Sequence, residues 1–208
     1  VLALLALSSP RFFTNDSAQY WSVTRSILDG LGPRTTTLFY DTQLALGLPA
    51  LQTIWPPGLP YFAATLARVT GLAAETATAL LNALAHGSAA LLLFWIVGQL
   101  RGPGPLRLAF ALGYLVQLTV VKVALSGGSE PLFYLSVIAS AACVIKAFGE
   151  EDDPTWWLVA ASASVAAGTL VRYPAVFQVA PLGLTAWYAF ATARRPRSII
   201  KAFASASV

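Results

Sequence analysis

Charge, cysteine and histidine are all scarce in this chain of 208 residues. It carries 13 Lys and Arg and 9 Asp and Glu, or 11% charged, against about 25% in soluble domains. The net charge of +4 therefore reflects few charges in total rather than a basic patch, and a nucleic-acid partner, which needs clustered Lys and Arg on one face, is excluded. One cysteine, Cys143, leaves no internal disulfide and no Cys-based zinc cluster. One histidine, His86, leaves no His-cluster metal site. Apolar residues are plentiful instead, at 57% with a mean hydropathy of +0.67. That composition excludes intrinsic disorder and does not suit an ordinary soluble globule.

The charges are also unevenly placed. Residues 76–100, 108–121, 131–145, 154–171 and 173–193 contain no Asp, Glu, Lys or Arg. A hydrocarbon core of about 30 Å needs roughly 20 apolar residues as helix. The runs of 25 and 21 residues meet that alone; the two shorter central runs meet it if Lys122 and Lys146 snorkel from the ends. The expected fold class is thus all-α, a polytopic transmembrane helical bundle. Five complete spans are expected over 76–100, 106–125, 131–148, 154–171 and 173–193, with residues 1–7, VLALLAL, as the end of an earlier one. The chain reads as an N-terminal fragment of a larger protein, forming a single transmembrane domain. Twelve of the 13 prolines fall outside these helices or in their first turns, where a missing N–H is harmless; Pro181 alone falls inside a span, where neighbouring helices can satisfy the freed carbonyl.

Short loops set orientation. Alternate loops holding Arg101, Arg107, Lys146, Arg194, Arg195, Arg197 and Lys201 lie on one side, against Lys122 and Arg172 on the other. The positive-inside rule places the first set in the cytoplasm, so a multi-pass protein of the inner (plasma) membrane is expected, with segment 8–75 outside. The acidic run Glu150–Asp153 is then a solvated cytoplasmic turn. The external segment is long for a connection, which favours a function. Between Asp16 and Leu31, Tyr20, Val23, Ile27 and Leu31 recur at helical spacing after a Thr14-Asn15-Asp16 cap. This predicts an amphipathic helix on the outer membrane surface. A second short helix is expected over 59–70, after Trp55-Pro56-Pro57-Gly58.

Three ionisable groups converge on the external face. Asp16 starts the surface helix, and the N-terminal dipole is expected to keep it ionised. Glu130 follows Ser126-Gly127-Gly128-Ser129 at the outer end of a span, and Arg172 interrupts the apolar stretch between the last two spans. Charges at membrane depth are costly and point to function, although caps for the two carboxylates and an interfacial anchor for Arg172 are the plain structural readings. Tyr173, Tyr20, Lys122 and Arg25 lie nearby as candidates for holding substrate; Lys122 either faces the site or snorkels. Arg34 and Asp41 are in the same external segment. A carboxylate with one or two cations suits transfer of a sugar from a lipid phosphate. The leaving group needs no general acid there, unlike glycoside hydrolysis with its two carboxyls. One carboxylate deprotonates the acceptor hydroxyl, and an Arg, or a divalent metal ion in its place, holds the phosphate.

Four stretches in order resemble a known family. They are Asn15-Asp16-Ser17-Ala18-Gln19-Tyr20-Trp21 with Leu28-Asp29-Gly30-Leu31; Trp55-Pro56-Pro57-Gly58-Leu59-Pro60; Ser129-Glu130-Pro131-Leu132-Phe133; and Leu170-Val171-Arg172-Tyr173-Pro174. The pattern is similar to that of the integral-membrane glycosyltransferases of the C superfamily, in the branch of the protein O-mannosyltransferases, aminoarabinose transferases and rhizobial core glycosyltransferases. The resemblance implies a polyprenyl-phosphate sugar donor, a lipid, glycan or protein acceptor, membrane lipids as surroundings, an inverting mechanism, and an acidic residue of the first external loop, here Asp16, as catalytic base. Many relatives carry Asp-Glu in the first motif. Here Asp16 is followed by Ser17, which leaves Glu130 or Asp41 for any second carboxylate role.

The competing reading is a transporter or flippase for a lipid-linked or small anionic substrate, but such proteins hold charges near the midplane on repeated halves, and no internal repeat is visible here. The remaining polar residues read as packing: His86 among small residues, Cys143 as a small buried hydrophobe, Asn82 as interhelical glue.

Overall fold

The computed structural model describes residues 15–37, 47–53, 55–149 and 154–192. Residues 1–7, Asp41, the acidic run 150–153 and the basic stretch 194–201 lie outside the described residues. Eight α-helices are present among those described: α1 Asn15–Leu28, α2 Gly58–Thr70, α3 Ala74–Gln99, α4 Gly104–Leu115, α5 Leu118–Ser126, α6 Glu130–Gly149, α7 Thr155–Val171 and α8 Val179–Thr192. A 3-10 helix, Tyr173–Gln178, joins α7 to α8. The two short strands β1 (Arg34–Thr35) and β2 (Ala50–Leu51) pair antiparallel, Arg34 opposite Leu51 and Thr35 opposite Ala50. The fold is an all-α membrane bundle.

The packing is that of a protein built for lipid. Buried positions are small: Ala77, Ala79, Ala83, Ala85, Ala89 and Ala90 line α3, and Ala161 and Gly168 line α7. Small side chains let helix backbones approach closely where no hydrophobic driving force separates helix from solvent. Large apolar side chains point outward instead, among them Leu91, Phe110, Trp156, Phe177, Leu184 and Trp187. Helix α3 packs against α2, α4, α5 and α6, and α6 packs against α7.

The spans differ in detail from the charge-free runs. Helices α3 and α6 are long and apolar enough to cross a membrane, and α4 and α5 meet the same test as a pair bent by 47°, the shape of a broken span or a re-entrant loop. The expected continuous helix over 106–125 is therefore broken at Val116–Gln117, without proline. The imidazole of His86 reaches the Leu115 carbonyl at 3.3 Å and stacks on the Tyr114 ring, centroids 4.6 Å apart. A side chain entering the backbone ladder is a recognised cause of such a kink; facing a carbonyl, Nε2 carries the proton. Helix α7 has 17 residues, or about 26 Å at 1.5 Å per residue. The stretch 173–193 is not one helix: Tyr173–Gln178 winds as 3-10 and α8 starts at Val179. Pro181 consequently stands in the first turn of α8, where its missing N–H breaks no helical bond.

Helix α1 forms where the spacing predicts it, but protein covers it. Val23 and Ile27 pack on Ala64 of α2, with Leu28 alongside, and Ser17, Gln19 and Thr24 on its other faces are fully buried too. The Thr24 hydroxyl donates to the Tyr20 carbonyl at 2.7 Å. The apolar stripe thus rests on α2 rather than on lipid. Arg68 of α2 donates to the Ile27 carbonyl at 2.9 Å, placing a cation at the C-terminal end of α1, where the helix dipole favours it.

Candidate active site

Each of the three charged candidates sits at a helix boundary, where the backbone turns and a side chain can leave its helix. Asp16 is in the first turn of α1. Glu130 opens α6 after a tight turn: α5 ends on Gly127, whose φ of 83° caps it in the left-handed region that glycine adopts without strain. Arg172 follows α7 in an extended conformation (φ −148°, ψ 130°), with Pro174 two residues on preventing the helix from continuing.

These boundaries meet. The Arg172 guanidinium donates to the Glu130 carboxylate in an ion pair between the start of α6 and the end of α7. Their side chains are 30% and 27% exposed, so the pair is neither a free surface bridge nor sealed from water. Asp16 is within electrostatic reach of both. Burial first, and then the negative charge of Glu130, push its carboxyl above the ordinary 3.8, while Arg172 pulls in the opposite direction. Beside the α1 dipole, which favours the anion, burial and a second carboxylate thus act on Asp16 in the opposite direction. The result is a stronger base than an exposed Asp.

Helix α1 is registered on this cluster by two further side chains. The Tyr20 hydroxyl donates to Ser129 Oγ at 3.3 Å, with both groups buried. Burial, foremost, raises the Tyr20 phenol above its ordinary 10, so it remains a protonated donor. The Trp21 indole lies against Gly127 so closely that a Cβ there would sit 2.8 Å from the ring nitrogen. On the other side, Gly58 at the start of α2 abuts the backbone of Leu170 in α7, two positions before Arg172.

The other candidates are placed as follows. Tyr173 is exposed beside Arg172. Lys122 is exposed on α5. Arg25 forms an ion pair with Glu75 of α3 and is largely exposed, which ties α1 to α3. Asp16 and Glu130 are the carboxylates gathered at the cluster, and among the described residues no group of three His, Cys, Asp or Glu forms. A divalent ion here would need substrate oxygens to complete its shell.

A carboxylate of raised basicity beside an Arg is the equipment for deprotonating a hydroxyl while an anionic group is held nearby. Residues 55–208 match the dolichyl-phosphate-mannose-protein mannosyltransferase family. The chain belongs to that family. It is accordingly a membrane glycosyltransferase. No curated protein and no solved structure matches the chain. The part shared with the dolichyl-phosphate-mannose-protein mannosyltransferase family contains Lys122, Glu130, Arg172 and Tyr173 and starts after Asp16, Tyr20 and Arg25.

Several residues around this cluster are not evident in the sequence as site residues. Ser129 receives Tyr20, and Gln19, fully buried, donates to Gln52 at 2.6 Å, holding α1 to the segment before α2. Asn82, deep in α3, donates to the Gly128 carbonyl at 2.8 Å and to the Ala124 carbonyl at 3.4 Å. The Ser-Gly-Gly-Ser run does mark a turn before Glu130; nothing local says which distant side chains grip it.

Proposed function

We propose that the protein transfers a sugar from a polyprenyl-phosphate donor to an acceptor hydroxyl on the external face of the membrane, by a single inverting displacement. Asp16 takes the acceptor proton as its oxygen attacks the anomeric carbon. The bond from that carbon to the phosphate oxygen breaks on the opposite side, and the lipid phosphate leaves as an anion held by Arg172. An Arg has five N–H donors, so pairing with Glu130 leaves others for phosphate. Glu130 aims the guanidinium and makes Asp16 a better base. Tyr20 and Ser129 hold α1 against the site, Tyr173 and Lys122 offer contacts to sugar or lipid phosphate, and Arg25 stands at the rim. The acceptor is a lipid, glycan or protein hydroxyl, and the membrane is the plasma (inner) membrane.

The single observation that carries this reading is the meeting of Asp16, Glu130 and Arg172 from three separate helix boundaries at one place. Family membership adds the donor class. The bend at Val116–Gln117 is the one feature favouring a transporter, since transporters bind substrate at discontinuous helices; the charged cluster, however, lies elsewhere, at the helix ends. The test supplies lipid-phosphate sugar and acceptor to the purified full-length enzyme and compares it with Asp16→Asn. Near-normal turnover by the variant removes Asp16 from the chemistry and leaves Glu130 as the carboxylate to examine.

A further inference from the structure

Asn82 stands apart from the packing residues around it. It is fully buried in α3, among small side chains, and its amide reaches across to a different part of the chain. Both of its partners, the carbonyls of Ala124 and Gly128, are acceptors, so only the NH2 group can face them. These two carbonyls bracket the left-handed Gly127 cap, and the Gly128 N–H closes the same turn on the Val123 carbonyl at 3.1 Å. Helix α1 touches this turn from the opposite side, through Trp21 on Gly127 and Tyr20 on Ser129. The next residue is Glu130, whose carboxylate lies over Gly128: a Cβ at position 128 would come within 2.5 Å of Glu130 Oε2.

We infer that Asn82 is a positioning residue for sugar transfer: from inside the bundle it fixes the Gly127–Ser129 turn, and through that turn the placement of Glu130 relative to Arg172 and Asp16. The inference rests on the proposed reading of these three residues as the reacting cluster. A plain packing role would be filled as well by any side chain of the same volume. The two carbonyl bonds would not, because an apolar side chain of the same branching, such as leucine, donates nothing.

The experiment uses the full-length enzyme with Asn82→Leu, which keeps the branching and the heavy-atom count of the side chain and removes its donor. Hydrogen exchange of the peptide covering residues 123–131 is expected to quicken about tenfold, the scale of one lost hydrogen bond. Turnover is expected to fall roughly 10–100-fold, as for a displacement of about 1 Å in a reacting group. The acid limb of kcat/KM is expected to move to lower pH, because a displaced Glu130 no longer holds the Asp16 proton. Loss of packing alone lowers the folded fraction and leaves that limb in place. If Asn82→Leu does not fold, Gly128→Ala places a Cβ against both the Glu130 carboxylate and Val123 Cγ1, and the displaced carboxylate is expected to move the limb the same way. A folded Asn82→Leu with wild-type exchange, turnover and limb overturns the inference, as does an unmoved limb in Gly128→Ala. Failure of the catalytic reading is separate: it shows as Asp16→Asn with normal turnover, and the exchange measurement still decides whether Asn82 holds the turn.

Discussion

Glu130 and Arg172 are paired across 42 positions of chain, one opening α6 and the other closing α7. Neither charge belongs in an apolar bundle unless something repays its cost, and each is the other's partner. Replacing Arg172 by Ala leaves Glu130 half-buried without a cation. A stability loss of about 1–2 kcal/mol is expected, between the values for exposed and sealed pairs, measured by thermal unfolding in detergent. Donor KM should rise roughly 10–100-fold, the scale of a lost charge-assisted hydrogen bond. Arg172→Lys should keep part of the affinity, since charge survives and the fork is lost. Normal donor kinetics in a folded Arg172→Ala would reduce Arg172 to an anchor.

Asp16→Asn keeps the size and most of the capping ability of the side chain, so α1 should remain folded. Turnover should fall roughly 10²–10⁴-fold, the usual scale for a general base, with much less change in donor binding. Single-turnover kinetics with saturating donor separates the two quantities.

The pH dependence follows from the raised Asp16 carboxyl. In the proposed mechanism its deprotonated form is the active one, so kcat/KM should rise with pH through a limb above the ordinary 3.8. Glu130→Gln should move this limb down and Arg172→Ala should move it up, because the two charges act on Asp16 in opposite directions. For folding the sign is reversed. The native state favours the protonated Asp16, so the stability it contributes is present below pH 3.8 and lost as pH rises through the native value. Two limbs moving the same way would show that Asp16 is not the titrating base.

Gly58→Ala should destabilise the protein by about 1–3 kcal/mol, the cost of overpacking, because the added Cβ meets the Leu170 backbone, which cannot rotate away. Thermal unfolding measures it. An unchanged melting temperature would show that α2 and α7 are free to separate.

Topology is checked by cysteine labelling on a Cys143→Ala background. A cysteine at Leu31, which is 55% exposed, should react with an impermeant reagent on intact cells. A cysteine at Arg101 should react only after permeabilisation. The reverse pattern would invert the assignment from loop charges.

The helical bundle and the charged candidates were legible for the same reason: in a chain of so few charges, each Asp, Glu or Arg inside an apolar stretch stands out, and charge-free runs outline the helices. What escaped was whatever depends on a distant partner. Nothing near position 115 announces a bend, because the cause is His86 on another helix. The apolar stripe of α1 is periodic whether it faces lipid or Ala64, so its occupant could not be read. Asn82 looks the same in sequence whether it joins two helices at random or holds the turn before Glu130. The basicity of Asp16 likewise depends on burial and on Glu130, neither of which is local to its own helix.

The seating of Gly58 against Leu170 also fixes an order of events during synthesis. Helices α1 and α2 leave the ribosome before α7, and the backbone that receives Gly58 emerges about a hundred residues later, some 5–20 s at ~5–20 residues per second. By then the Gly127 turn has already been made, but Arg172 has not. The Asp16–Glu130–Arg172 cluster is therefore completed only after α7 has been made, and a nascent chain stalled before residue 170 holds Asp16 and Glu130 without the Arg to which the proposed mechanism assigns the phosphate.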